Sequence, residues 1–197
     1  MTGKELYSAI AIALTFIAFI PYIRSILKNE IKPHVFSWVI WGSTTFIAFL
    51  AQLEDGGGYG AWPIGISGII TLCVAFLAYT KKADTTITPL DWCFFTSAMA
   101  SIPIWYFMSD PLGAVILLTV IDLLGFGPTV RKAYAHPFEE NVTFFLIFLT
   151  RNVVAIMALE HYSITTTLFP AAIAIACLML VMIIMFRRYL LSKKLLD

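Results

Sequence analysis

Two charged side chains sit where almost every neighbour is apolar: Asp122 within LLTVIDLLG and Arg151 within FLIFLTRNVV. A carboxylate and a guanidinium at such positions can hold each other as a structural ion pair or take the two ends of a small polar or zwitterionic molecule, and Asn152 adds an amide that both donates and accepts. Catalysis is not expected. The chain has no H-E-x-x-H, no G-x-S-x-G and no paired carboxylates within its apolar runs, so it is not read as an enzyme. Cys73, Cys93 and Cys177 show no C-x-x-C spacing, so packing is favoured over a disulfide or a metal set, and neither metal nor cofactor is expected.

A second group of residues offers shape rather than charge. Ser37, Trp38, Trp41 and Thr45 spell S-W-x-x-W-x-x-x-T, with Trp41 about six residues into an apolar run, deeper than an interfacial anchor requires. Such a wall can stack on a sugar, a base or another planar ring, or it can be ordinary bundle packing. His34, in Lys32-Pro33-His34, reads as a turn residue.

The elements that position these groups follow from composition. Of the 197 residues, 60% are hydrophobic and 13% charged, and mean hydropathy is +0.88, far from a soluble domain. A helix crossing a hydrocarbon core of ~30 Å needs about 20 apolar residues. Seven stretches fit, at 5–27, 35–53, 62–80, 90–108, 111–134, 142–159 and 166–187, so the expected fold is an all-α integral membrane protein with the lipid bilayer as its solvent. A formal net charge of +1 gives no reason to expect nucleic acid.

Charge sets the orientation. Arg24, Lys28, Lys32, Lys81, Lys82, Arg131, Lys132, Arg187, Arg188, Lys193 and Lys194 are eleven of the thirteen Lys and Arg, and all fall on one side of the seven stretches. Glu54, Asp55, Asp110 and Glu160 occupy the other, which predicts an outer N-terminus and a cytoplasmic C-terminus. The first run is too long for a signal-peptide core and reads as a membrane helix. Asn141-Val142-Thr143 fits a glycosylation sequon but falls on the cytoplasmic side, where it stays silent.

The chain also repeats itself. Pro21 and Pro128 lie 107 residues apart, and the same offset pairs Phe19 with Phe126, Arg24 with Arg131 and Pro63 with Pro170. Three crossings per copy would invert the second copy, but the fourth stretch crosses back and makes the halves parallel. The expected organisation is a first three-helix bundle over 1–82, a linker helix within 83–110, and a second bundle with a short tail over 111–197. Thr88 with Pro89 and Asp91, and Asp110 with Pro111, suit helix starts. Trp38 and Trp92 near the inner surface, and Trp62 and Trp105 near the outer, suit anchors. Gly68, Thr71, Ala75 and Ala78 form a small-residue stripe for close helix packing.

In this register Thr15 matches Asp122, Thr44 matches Arg151, Thr45 matches Asn152, and Phe145 and Phe148 match Trp38 and Trp41. Asp122 and Arg151 share a depth of ~14 to 15 Å, since helices rise ~1.5 Å per residue. A lone charge there costs at least ~2.5 kcal/mol, so the two are expected to pair or to face one cavity, polar on one side only. Pro21 and Pro128 each delete a helical hydrogen bond, and Gly125 and Gly127 loosen the second copy, so kinks are expected there and could act as hinges.

A three-helix unit with proline near the inner end of its first helix, a basic turn, and doubling around a linker helix resembles the PQ-loop and SWEET transporter clan. The residues carrying the likeness are Pro21-Tyr22 and Pro128-Thr129, neither with the clan's glutamine, and its length and short loops suit a bacterial member. The resemblance implies a multi-pass carrier in the bacterial inner membrane, moving a small solute of the sugar, amino-acid or vitamin class by alternating access. The site would comprise Asp122, Arg151, Asn152, Trp38, Trp41, Thr44 and Thr45. Since the clan also includes a peptide-sorting receptor, the alternative is a binding receptor or assembly factor that moves nothing; homo-oligomerisation stays open.

Overall fold

The computed structural model describes residues 3–29, 35–81, 89–108, 111–135, 137–140 and 142–194. Lys32, His34, Lys82, Thr88, Asp110 and Asn141 lie outside these residues, and Asp91, Trp105, Gly127, Pro128, Arg131 and Lys132 are described in backbone only. Among the described residues the chain is all helical. Its helices are α1 (Gly3–Leu27), α2 (Val35–Glu54), α3 (Trp62–Thr80), α4 (Pro89–Met108), α5 (Pro111–Gly125), α6 (Gly127–Ala135), α7 (Val142–Met157) and α8 (Ile164–Lys194), with 3-10 turns at Gly58–Gly60 and Pro137–Glu139.

Among the described residues, four segments are long and apolar enough to cross a membrane: Gly3–Leu27, Val35–Glu54, Gly58–Thr80 and Ile164–Lys193. Pro111–Gly125 and Val142–Met157 are apolar but shorter. Phe16, Ile17, Phe76, Ile175 and Met182 project outward, as they would toward lipid.

The stretch expected as a single helix over 111–134 is two helices with a turn at Phe126. Pro128 has no N–H to give the carbonyl four residues back, and glycines on both sides of Phe126 remove the steric bias that would hold the chain helical. Phe126 N–H closes a tighter turn on the Leu123 carbonyl (3.0 Å), and Val130 N–H resumes helical bonding to Phe126 (2.9 Å). Pro21 has no such effect. With Ala18 and Ile20 at the positions 107 residues before Gly125 and Gly127, α1 runs unbroken to Leu27 and ends on Asn29, whose φ of 59° lies in the left-handed region that asparagine tolerates.

Packing brings α1 against α3 and α7, and α5 against α2, α4 and α8; α2 lies along α3, and α7 along α8. The stripe of Gly68, Thr71, Ala75 and Ala78 is buried, and a Cβ on Gly68 would stand 3.0 Å from the backbone nitrogen of Phe46 in α2. The core runs through Ile47, Ile64, Val115, Leu118, Phe169 and Leu180. Cys177 is buried, whereas Cys73 and Cys93 are exposed.

Candidate functional site

Arg151 is 3% exposed and Asp122 7%. Asp122 stands eleven residues into α5 and Arg151 nine into α7, hence ~14 to 17 Å along each helix. They do not form an ion pair, one of the two arrangements expected of them; each is held by a threonine hydroxyl, Thr44 for Asp122 and Thr15 for Arg151. Thr44 donates to Asp122 Oδ1 at 2.6 Å, and Arg151 Nε donates to Thr15 Oγ1 at 3.2 Å. The other nitrogens of Arg151 donate to Asn152 Oδ1 and to the Pro63 carbonyl, both at 2.8 Å. Its acceptors here are all neutral.

The packing explains the separation. α5 lies against α2 and α7 against α1, so each charge looks across to a different first-half helix. The two bonds are related by the sequence offset: adding 107 converts Thr15 to Asp122 and Thr44 to Arg151, so one offset exchanges the pair Thr15 and Arg151 for the pair Asp122 and Thr44.

Asn152 is fully buried and its Nδ2 donates to the Phe148 carbonyl at 2.8 Å, which fixes the amide oxygen toward Arg151. The guanidinium carbon of Arg151 lies 5.5 Å from the centre of the Phe148 ring. From there aromatics continue without a gap. Phe148 stacks on Phe144 (4.6 Å) and meets Phe19 edge-on (5.5 Å); Phe19 meets Trp38, which stacks on Tyr22 (5.0 Å) and meets Trp41 (5.9 Å). Trp38, partly buried, is a member of this aromatic cluster, while Trp62 and Trp92 are half exposed.

Trp41 lies against Gly125, where a Cβ would collide with the indole nitrogen. Gly125 thus gives Trp41 room as well as ending α5. Thr45 is buried one residue beyond Thr44 but takes no part in the bonds around Asp122 and Arg151.

Sequence reasoning missed the Pro63 carbonyl, because a backbone acceptor leaves no mark in residue type, and it missed Gln52. Gln52 is fully buried, its Nε2 donates to the Thr166 carbonyl at 3.0 Å, and its Oε1 has no partner. A lone glutamine within an apolar run was the available signal.

Thr44 makes the contact with Asp122 testable. Its hydroxyl has one proton for two acceptors, Asp122 Oδ1 and the Trp41 carbonyl (3.0 Å), and the carboxylate is the nearer. Thr44→Val leaves a buried carboxylate without that donor and is expected to cost ~1 to 3 kcal/mol. Thr44→Ser, which retains the hydroxyl, should stay within ~1 kcal/mol. Thermal unfolding in detergent reads both, and equal losses would count against the bond.

No family model, curated protein or solved structure matches this chain.

Proposed function

We propose that the chain is a multi-pass membrane carrier for a small polar or zwitterionic solute, working by alternating access between two parallel three-helix units. In this reading α5 and α6 together make one crossing and α4 links the units, giving seven spans, an outer N-terminus and a cytoplasmic C-terminus. The likeness to the PQ-loop and SWEET clan is one of architecture.

The observation that carries the reading is the pair of equivalent hydrogen bonds. Thr15 to Arg151 and Thr44 to Asp122 join the halves at matching places, and α1 on α7 matches α5 on α2. Duplicated, parallel halves that meet on buried polar groups midway through the bundle are what alternating access requires. A bundle held only for stability gains more from apolar side chains, since buried charge carries a desolvation cost. Arg151 and Asp122 would take opposite ends of the solute, with Asn152 orienting the guanidinium, and the aromatic cluster around Trp38 and Phe148 would close the inner side.

The test is flux. Purified protein in liposomes should speed tracer entry of at least one sugar, amino acid, nucleoside or vitamin over empty liposomes, and the same solute should raise its melting temperature. Binding without flux would overturn transport in favour of a receptor.

A further inference from the structure

The last helix, α8, carries two adjacent arginines past the end of its apolar run. At ~1.5 Å per residue, Arg187 and Arg188 stand ~35 Å along α8 from Ile164, just beyond a hydrocarbon core of ~30 Å and at the level of lipid head groups. Both are held on the stretch from Tyr134 to Glu140, between the end of α6 and the start of α7. Arg187 Nε donates to the Tyr134 carbonyl at 2.9 Å, Arg188 Nε to the Pro137 carbonyl at 3.0 Å, and Arg188 Nη2 to the Glu140 carbonyl at 2.8 Å. Their guanidinium carbons lie 4.0 Å and 5.6 Å from the ring centres of Tyr134 and Phe138.

These bonds fix the arginines without neutralising them. Backbone carbonyls carry no net charge, and among the described residues neither guanidinium is within ion-pair reach of a carboxylate; Glu140 meets Arg188 through its backbone oxygen. Both Nη atoms of Arg187 and Nη1 of Arg188 make no hydrogen bond among the described residues. A planar, charged fork held in this way is suited to the oxygens of a phosphate.

The surface that continues from the arginines is apolar. Leu178, Met182 and Met185, at i, i+4 and i+7, are exposed along one face of α8, and Arg188 follows Met185 by three residues, so it ends the same face. Tyr134 and Phe138 are exposed beside the guanidinium groups, at the level where aromatic rings gather in membrane proteins. A free phosphate would satisfy the arginines and leave this face bare. Charge at one end and an apolar stripe running from it toward the bilayer centre match a molecule with a charged head and a hydrocarbon tail.

We propose that Arg187 and Arg188 form a binding site for an anionic phospholipid, the guanidinium groups taking the head-group phosphate while Leu178, Met182 and Met185 carry an acyl chain. A zwitterionic lipid presents the same phosphate, but its ammonium group cancels the net charge that the arginines would meet. Basic pockets between helices at a membrane surface hold anionic head groups by the same electrostatics. The site does not depend on the carrier reading.

Native mass spectrometry of the full chain in detergent, supplied with phosphatidylglycerol and phosphatidylcholine of equal chain length, tests the site. The native chain should retain phosphatidylglycerol over phosphatidylcholine about thirty-fold, the scale of two basic residues near an anionic surface. Arg187→Gln combined with Arg188→Gln should bring that preference to within about two-fold. Arg24→Gln combined with Lys28→Gln removes the same charge from the end of α1 and should leave the preference standing. Should the first pair fail to fold, Arg187→Gln alone, with one backbone bond to lose, should lower the preference about five-fold. Equal retention of the two lipids by the native chain overturns the site. So does an equal loss in both double variants, which would assign the preference to the basic surface as a whole, and so does displacement of the bound lipid by inorganic phosphate.

Discussion

Asp122→Asn and Arg151→Gln are each expected to abolish solute flux while leaving a folded protein. Asparagine keeps the shape of aspartate and an oxygen for the Thr44 hydroxyl at 2.6 Å, so the contact between α5 and α2 survives and only the charge is lost. Glutamine at 151 is shorter and cannot span Thr15, Asn152 and the Pro63 carbonyl together, so its folded state should be the weaker of the two. Losing one partner of a desolvated, hydrogen-bonded charge contact typically costs ~2 to 5 kcal/mol, which at limiting solute is at least ~30-fold in flux. Arg151→Lys adds a control for shape. Lysine keeps the charge but not the planar fork that meets three acceptors at fixed angles, so it should rescue less than half of the flux. Tracer uptake into liposomes, paired with thermal unfolding of each variant, separates loss of function from loss of fold. Uptake retained above half in both neutral variants would remove Asp122 and Arg151 from the site.

The distance of Asp122 and Arg151 from the starts of their helices could be read from spacing alone, because length along a helix follows residue count. Their partners could not be read that way. Whether two charges at one depth meet depends on the rotation of each helix about its axis and on which helices are neighbours, and the nearly uniform apolar composition of these runs records neither. The offset that matches Thr15 to Asp122 and Thr44 to Arg151 already held the answer in coded form: with α1 on α7 and α2 on α5, each charge meets the hydroxyl matched to the other. The prolines show the converse limit. Pro21 and Pro128 are chemically identical, yet α1 continues where α5 stops, and the difference lies in Ala18 and Ile20 against Gly125 and Gly127. The contact between the α2 to α3 loop and the α7 to α8 loop was not legible, since Asp55 and Ser163 are brought together only by the packing of the helices that carry them.

Gly60→Ala is expected to be among the most destabilising single-methyl additions in this chain. A Cβ at Gly60 would stand 2.5 Å from the Leu159 nitrogen and 2.6 Å from its Cα, where no rotamer change can give way because both are backbone atoms. Relief requires the α7 to α8 loop to back away from the α2 to α3 loop, and that movement strains the Glu160 bond to Gly57 and the contacts of Asp55 with His161 and Ser163. Overpacking of this kind costs ~1 to 3 kcal/mol and occasionally more, and displaced backbone puts Gly60→Ala at the upper end. Gly113→Ala is the matched control: Gly113 stands in the first turn of α5, and a Cβ there meets nothing within 4 Å, so alanine should be tolerated without loss. The melting temperature in detergent should therefore fall for Gly60→Ala and hold or rise for Gly113→Ala. If Gly60→Ala left the melting temperature unchanged, the loops would not be held as closely as the 2.5 Å approach of a Cβ at Gly60 to Leu159 requires.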